Sequence, residues 1–152
     1  MQGDDCSINL RIGNIQKEWD WIKPELEELL KDAVDPLYRP EDVYARCLYG
    51  ESTLILVDKG FLVITITEDE LLDRKTFFIW IAKNPKNCNS IFELNAIMQN
   101  LEKLALQSNC SAMETRTPYK KVGSYLEKNG WVLSTLEYRK NLINENSKSQ
   151  NF

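Results

Sequence analysis

The 152-residue chain contains no histidine, so any proton transfer it performs runs through Glu, Asp, Tyr, Cys, Lys, backbone or water. A Ser-His-Asp triad, a Cys-His dyad and a histidine-built zinc site are excluded within it. The four cysteines, Cys6, Cys47, Cys88 and Cys110, form no CxxC pair. That argues against zinc and thioredoxin-type chemistry and for free thiols in a reducing compartment. A nucleophilic thiol without histidine needs a helix amino terminus to lower its pKa, and only Cys88 has such a place. Carboxylates remain. Glu68-Asp69-Glu70 follows a strand-like run, and a solvated loop is its plainer reading. Glu114 falls within a second run, where burial would raise its pKa toward that of a general base; an outward-facing strand position is the plainer reading there. No metal site is expected.

The elements that would position these groups follow from periodicity. Ile22, Leu26, Leu29, Leu30 and Ala33 share one helical face, with Pro24 read as a first-turn residue and Pro36 as the stop. A second helix is expected from about Pro40 to Tyr49, ended by Gly50, with Val43, Cys47 and Leu48 inward. Thr53–Val57, Phe61–Ile66 and Thr76–Ala82 read as three strands of an antiparallel meander, the first two joined by the turn Asp58-Lys59-Gly60. Ser90-Ile91-Phe92-Glu93 has the form of a capping box for a long helix lined by Leu94, Ile97, Met98, Leu101, Leu104 and Ala105. A short strand over Ser111–Arg116, a helix from Thr117-Pro118 to Gly130 and a last strand over Trp131–Arg139 complete the order. A strand, a long helix and another strand make a right-handed parallel crossover, hence a mixed sheet with helices on its faces.

Net charge is −4, unevenly spread. Residues 1–80 hold 17 acids and 9 bases, a net of −8, and residues 81–152 hold 6 acids and 10 bases, a net of +4. The acidic half argues against a nucleic-acid partner, and the basic half would suit an anionic ligand. No apolar run reaches membrane-spanning length and the amino terminus lacks the form of a signal peptide, so no membrane partner and a cytoplasmic location are expected. One domain over residues 1–143 and a polar, disordered tail over 144–152 are expected.

This order, with Leu126-Glu-Lys-Asn-Gly-Trp131, resembles the GNAT (Gcn5-related N-acetyltransferase) superfamily from about Trp21 to Leu142. Tyr138-Arg-Lys-Asn-Leu142 is similar to the ending of compact bacteriophage-encoded members. The resemblance implies an α/β fold with a mixed, mostly antiparallel sheet flanked by helices, and transfer of an acetyl group from acetyl-CoA to an amine on a small molecule or a protein. It implies acetyl-CoA contacts at Ile81, Ala82 and Lys83 on the strand before the long helix. Lys86, Asn87, Cys88, Asn89 and Ser90 would serve the pyrophosphate at the helix amino terminus, where free N–H groups favour anions. It further implies a carboxylate base, Glu114 or Glu70, and a phenol acid, Tyr125 or Tyr119.

Two positions depart from the family pattern. The stretch Lys83–Ser90 has no glycine, although such loops use glycine to bring backbone close to phosphate. Leu126 stands four residues before Gly130, where the family places its tyrosine. Both departures motivate a second expectation: a GNAT-like module without catalysis, acting in a phage particle, against a host protein or as a homo-oligomer, and marked by an exposed apolar surface.

Overall fold

The computed structural model describes residues 9–31, 38–58, 60–83 and 91–143. The chain divides into two compact units, Met1–Arg116 and Thr117–Phe152. The first holds β1 (Arg11–Ile12), α1 (Ile15–Lys31), α2 (Pro40–Leu48), β2 (Thr53–Val57), β3 (Gly60–Asp69), β4 (Arg74–Lys83), α3 (Ile91–Gln107) and β5 (Ala112–Thr115). The second holds α4 (Lys120–Lys128). The fold is the expected α/β one, a five-stranded, mostly antiparallel sheet flanked by helices.

The sheet runs β1-β2-β3-β4-β5, antiparallel as far as β4, with β5 parallel to β4. The parallel pair follows from α3, which carries the chain back so that β5 starts from the same end as β4. Alternation in β2 and β3 separates two faces. Leu54, Leu56, Phe61 and Val63 join Ile15, Ile22 and Leu26 of α1, Val43 of α2 and Ile81 of β4 in one buried cluster. Ile55, Leu62, Ile64, Phe77 and Ile79 are buried on the opposite face, and α3 buries the stripe Ile97, Leu101 and Ala105.

Several local expectations need correction. Helix α1 starts at Ile15, well before Pro24, because the Asn14 side chain accepts from the N–H groups of Gln16 (2.9 Å) and Lys17 (3.4 Å). Pro24 is therefore interior. It lies on the exposed side, where water can take the carbonyl that its missing N–H leaves unbonded. Leu48 is exposed rather than inward, at the last turn of α2. Strand β1 was not expected at all. Residues 131–139, expected as a last strand, form no ladder among the described residues. Their strand-forming composition supplies no neighbouring backbone to pair with. Ala33, Pro36, Lys59 and the tail 144–152 lie outside the described residues.

Gly13 is fixed by close approach. A Cβ there would sit 2.8 Å from Leu56 Cγ and 2.9 Å from Leu54 Cδ2, both side chains being buried in the core. Gly13→Ala is expected to destabilise the protein by about 1–3 kcal/mol through overpacking, measured as a lower urea midpoint with unchanged slope.

Candidate active site

The structural irregularity of the sheet lies in β4. Val63 pairs with Ile81 and Ile64 with Ile79, so Trp80 is an extra residue opposite no partner, a β-bulge. The bulge reverses side-chain parity. Before it, Phe77 and Ile79 point away from α1 and α2; after it, Ile81 joins the α1/α2 cluster. Trp80 packs on that same α1/α2 side, so two consecutive residues share a face.

The β4–β5 ladder ends just before the bulge, at Ile79↔Thr115. The Thr115 hydroxyl donates to the Ile79 carbonyl at 3.0 Å and closes it. Strand β4 continues to Lys83 paired with β3 alone. Among the described residues, Trp80–Lys83 therefore presents a strand edge on its β5 side. Of the residues expected to contact acetyl-CoA, Ile81, Ala82 and Lys83 lie on this edge. The Ile81 side chain is buried in the core, which leaves its backbone for binding. The Lys83 ammonium is already engaged, 3.6 Å from Glu25 Oε2 of α1 with both side chains about four-fifths buried. Lys83 pairs with Phe61 and so faces α1. Lys86, Asn87, Cys88, Asn89 and Ser90 lie outside the described residues, and the capping box with them.

Beside the bulge is a cavity of about 270 Å³ whose walls include Tyr38, Asp42, Arg46, Tyr49, Glu51 and Trp80. Helix α2 supplies Asp42 and Arg46, and β4 supplies the Trp80 wall. Tyr38 meets Trp80 edge to face at 5.6 Å, and the Arg46 guanidinium lies 5.3 Å above the indole ring. Hydrogen bonds from the Arg39 guanidinium (3.0 and 3.3 Å) and the Arg39 backbone N–H (3.0 Å) hold the Asp42 carboxyl below its ordinary pKa. Burial pushes the Tyr38 phenol up, so it stays a neutral hydrogen-bond donor. The sequence offered no signal for this cavity, since Tyr38, Arg46 and Glu51 belong to no motif.

The expected acid–base residues lie on different elements. Glu114 is exposed on β5 and pairs with Phe78, one step before the ladder ends. Phe78 pairs with Thr65, which shares the face of Val63 and Phe61, so Glu114 projects on the α1/α2 side, as does Trp80. The Arg116 guanidinium lies 5.5 Å over the Phe78 ring, consistent with that facing. Glu70 lies in the exposed turn between β3 and β4. Six strand residues, about 20 Å, separate that end of β4 from the bulge, so the structure does not bring Glu70 to the site. Tyr119 precedes the first turn of α4 and is 54% exposed; Tyr125 is half-buried within α4. Burial pushes the Tyr125 phenol up, which keeps its proton in place. Both belong to the second unit. Among the described residues no group of three or more Cys, Asp or Glu could hold a metal, and no helix is long and apolar enough to cross a membrane.

No family model matches the chain, and no curated protein matches it. Solved structures do. A probable acetyltransferase is similar over 90% of this chain and 99% of its own, with a TM-score of 0.67 at 13% identity. A Trypanosoma brucei acetyltransferase is similar over 89% and 99%, at 0.65 and 13%. The ribosomal-protein-alanine N-acetyltransferase of Brucella melitensis biovar Abortus 2308 is similar over 90% and 99%, at 0.63 and 9%. At these identities the likeness shows the fold, which is GNAT-like.

Burial raises the Cys47 thiol to about 11, so at pH 8 only about one molecule in a thousand carries its thiolate. Iodoacetamide at pH 8 is expected to label Cys47 about a hundredfold more slowly in the folded protein than in urea, read by peptide mass spectrometry. Equal rates would show a thiol that is not desolvated.

Proposed function

We propose that the protein is an N-acetyltransferase that moves an acetyl group from acetyl-CoA to an amine. The observation that carries this reading is the opening of the sheet. The β4–β5 ladder stops at Ile79↔Thr115 while β4 runs on through the Trp80 bulge to Lys83. An extended, amide-bearing ligand can add to such a free strand edge as a further strand would, and the pantetheine arm of acetyl-CoA is such a ligand. The backbone of Ile81, Ala82 and Lys83 would hold it. Lys86, Asn87, Cys88, Asn89 and Ser90, ahead of the α3 amino terminus, are assigned to the phosphates. With Lys83 paired to Glu25, the loop charge falls to Lys86. The similar folds of proteins named acetyltransferases lend further support.

Acetyl-CoA supplies an activated thioester carbon. In the transfer the amine nitrogen bonds to that carbon, the carbon–sulfur bond breaks, the nitrogen loses a proton and the departing sulfur gains one. Glu114 is assigned as the base, directly or through water, because it stands at the ladder end on the face of Trp80. The proton for sulfur is assigned to Tyr125 or Tyr119.

A second reading, a binding module without catalysis, is favoured by one observation. Val132, Tyr138 and Leu142 in the second unit are 84–88% exposed, large apolar side chains of the kind that partners or a second copy cover. A phage or host setting would belong to this reading.

Calorimetric titration with acetyl-CoA separates the two: saturable binding is expected, and its absence at millimolar acetyl-CoA would falsify the transferase. Glu114→Gln is expected to lower kcat by about 100-fold or more while leaving acetyl-CoA affinity unchanged. An unaltered kcat would remove Glu114 from the mechanism.

A further inference from the structure

We infer that the cavity beside Trp80 binds the acceptor, and that the acceptor is a small zwitterion with a free amine and a carboxylate on an aromatic or apolar body. Its role as acceptor rests on the transferase reading above; the ligand class rests on the cavity itself. Three charged groups contribute to the walls: Asp42, Arg46 and Glu51. Asp42 is taken up by Arg39 in a fork of two side-chain hydrogen bonds and counts as neutral toward a ligand. Arg46 and Glu51 remain. Among the described residues neither side chain has a hydrogen bond or an ion pair.

The Arg46 guanidinium carbon lies 5.3 Å from the centre of the Trp80 ring, and its N–H groups, which donate to no side chain among the described residues, remain for an anion. Glu51 follows α2 closely, its backbone N–H bonded to the Arg46 carbonyl at 2.9 Å, so the two charges issue from neighbouring backbone. A ligand with only an amine would meet the Arg46 charge uncompensated, and a ligand with only an anion would meet Glu51. A molecule with both satisfies both. Tyr38, Tyr49 and Trp80 contribute aromatic rings to the walls. The volume, about 270 Å³, is just under the ~300 Å³ at which drug-sized pockets begin, which suits a ligand of amino-acid size. Trp80 links this cavity to the strand edge, being both a cavity wall and the bulge residue, and Glu114 projects on the same face of the sheet.

The test uses three probes on the full chain: L-phenylalanine, phenethylamine, which lacks the carboxylate, and N-acetyl-L-phenylalanine, which lacks the free amine. Binding is read by ligand-observed NMR. L-phenylalanine is expected to bind at least about tenfold tighter than either analogue, the scale of one charge-assisted contact. Arg46→Met is expected to abolish the preference over phenethylamine, and Glu51→Gln the preference over N-acetyl-L-phenylalanine. Equal affinities for the three, or no binding of L-phenylalanine, overturn the ligand class whether or not acetyl-CoA binds. A selective L-phenylalanine site on a protein that does not bind acetyl-CoA upholds the ligand class and overturns its role as acceptor. Acetyl-CoA binding with equal affinities overturns the inference and leaves the transferase reading standing.

Discussion

A strand carrying one residue more than its partner must place two consecutive side chains on one face, because the pleat allows no other alternation. In this protein that residue is Trp80, and the arrangement of the site depends on it. Upstream of the bulge, Phe77 and Ile79 point away from α1 and α2. Downstream, Ile81 enters the α1/α2 core and Lys83 meets Glu25. Without the extra residue, Ile81 and Lys83 would exchange faces with Ala82, taking Ile81 out of the α1/α2 core and Lys83 away from Glu25. The bulge is thus held in place by the burial of Ile81 and by the Lys83–Glu25 contact.

The same irregularity separates two neighbouring surfaces. A bulged strand bends and twists more strongly than a regular one, and β5 stays paired only as far as Ile79. Beyond that point β4 presents backbone toward the β5 side and an indole toward α2. One surface is an extended edge suited to a linear ligand. The other is an open cavity with aromatic walls, carrying one guanidinium and one carboxylate that have no side-chain hydrogen bond or ion pair among the described residues. Their junction at a single residue is what makes a two-substrate reading physically reasonable.

Much of the fold was legible in the sequence because it rests on local patterns. The near-continuous apolar runs Thr53–Val57 and Phe61–Ile66, set off by turn residues, and the spacing of Ile97, Leu101 and Ala105 are local signals, and the parallel return of β5 follows from the helix between two strands. The bulge was not legible, since it is a mismatch between β3 and β4 and neither sequence contains it alone. Pro24 misled for a related reason: a proline suits a first turn, but the cap that sets the start is Asn14, ten residues earlier. Strand β1, two residues long, is too short to have a period. Residues 131–139 are rich in β-formers, but composition describes one strand and a ladder requires two. At the site, Glu114 was visible as a carboxylate within a strand, whereas its face could be assigned only from the Phe78 register. Arg46 and Glu51 looked like ordinary surface charges until α2 and β4 brought them to one cavity.

The order of the strands bears on how the protein keeps from aggregating. Thr53–Val57 and Phe61–Ile66 are rich in β-branched and apolar residues and carry no charge, the composition that stacks into fibrils when its edges are free. Both lie inside the sheet, as β2 and β3. The outer positions go to β1, two residues long, and β5, four residues long, and short edges make poor templates for another chain. Strand β1 is anchored further by the 2.9 Å bond from the Gly13 N–H to the Leu54 carbonyl. A residue that cannot be enlarged without displacing two leucines thereby also helps to cover the outer side of β2.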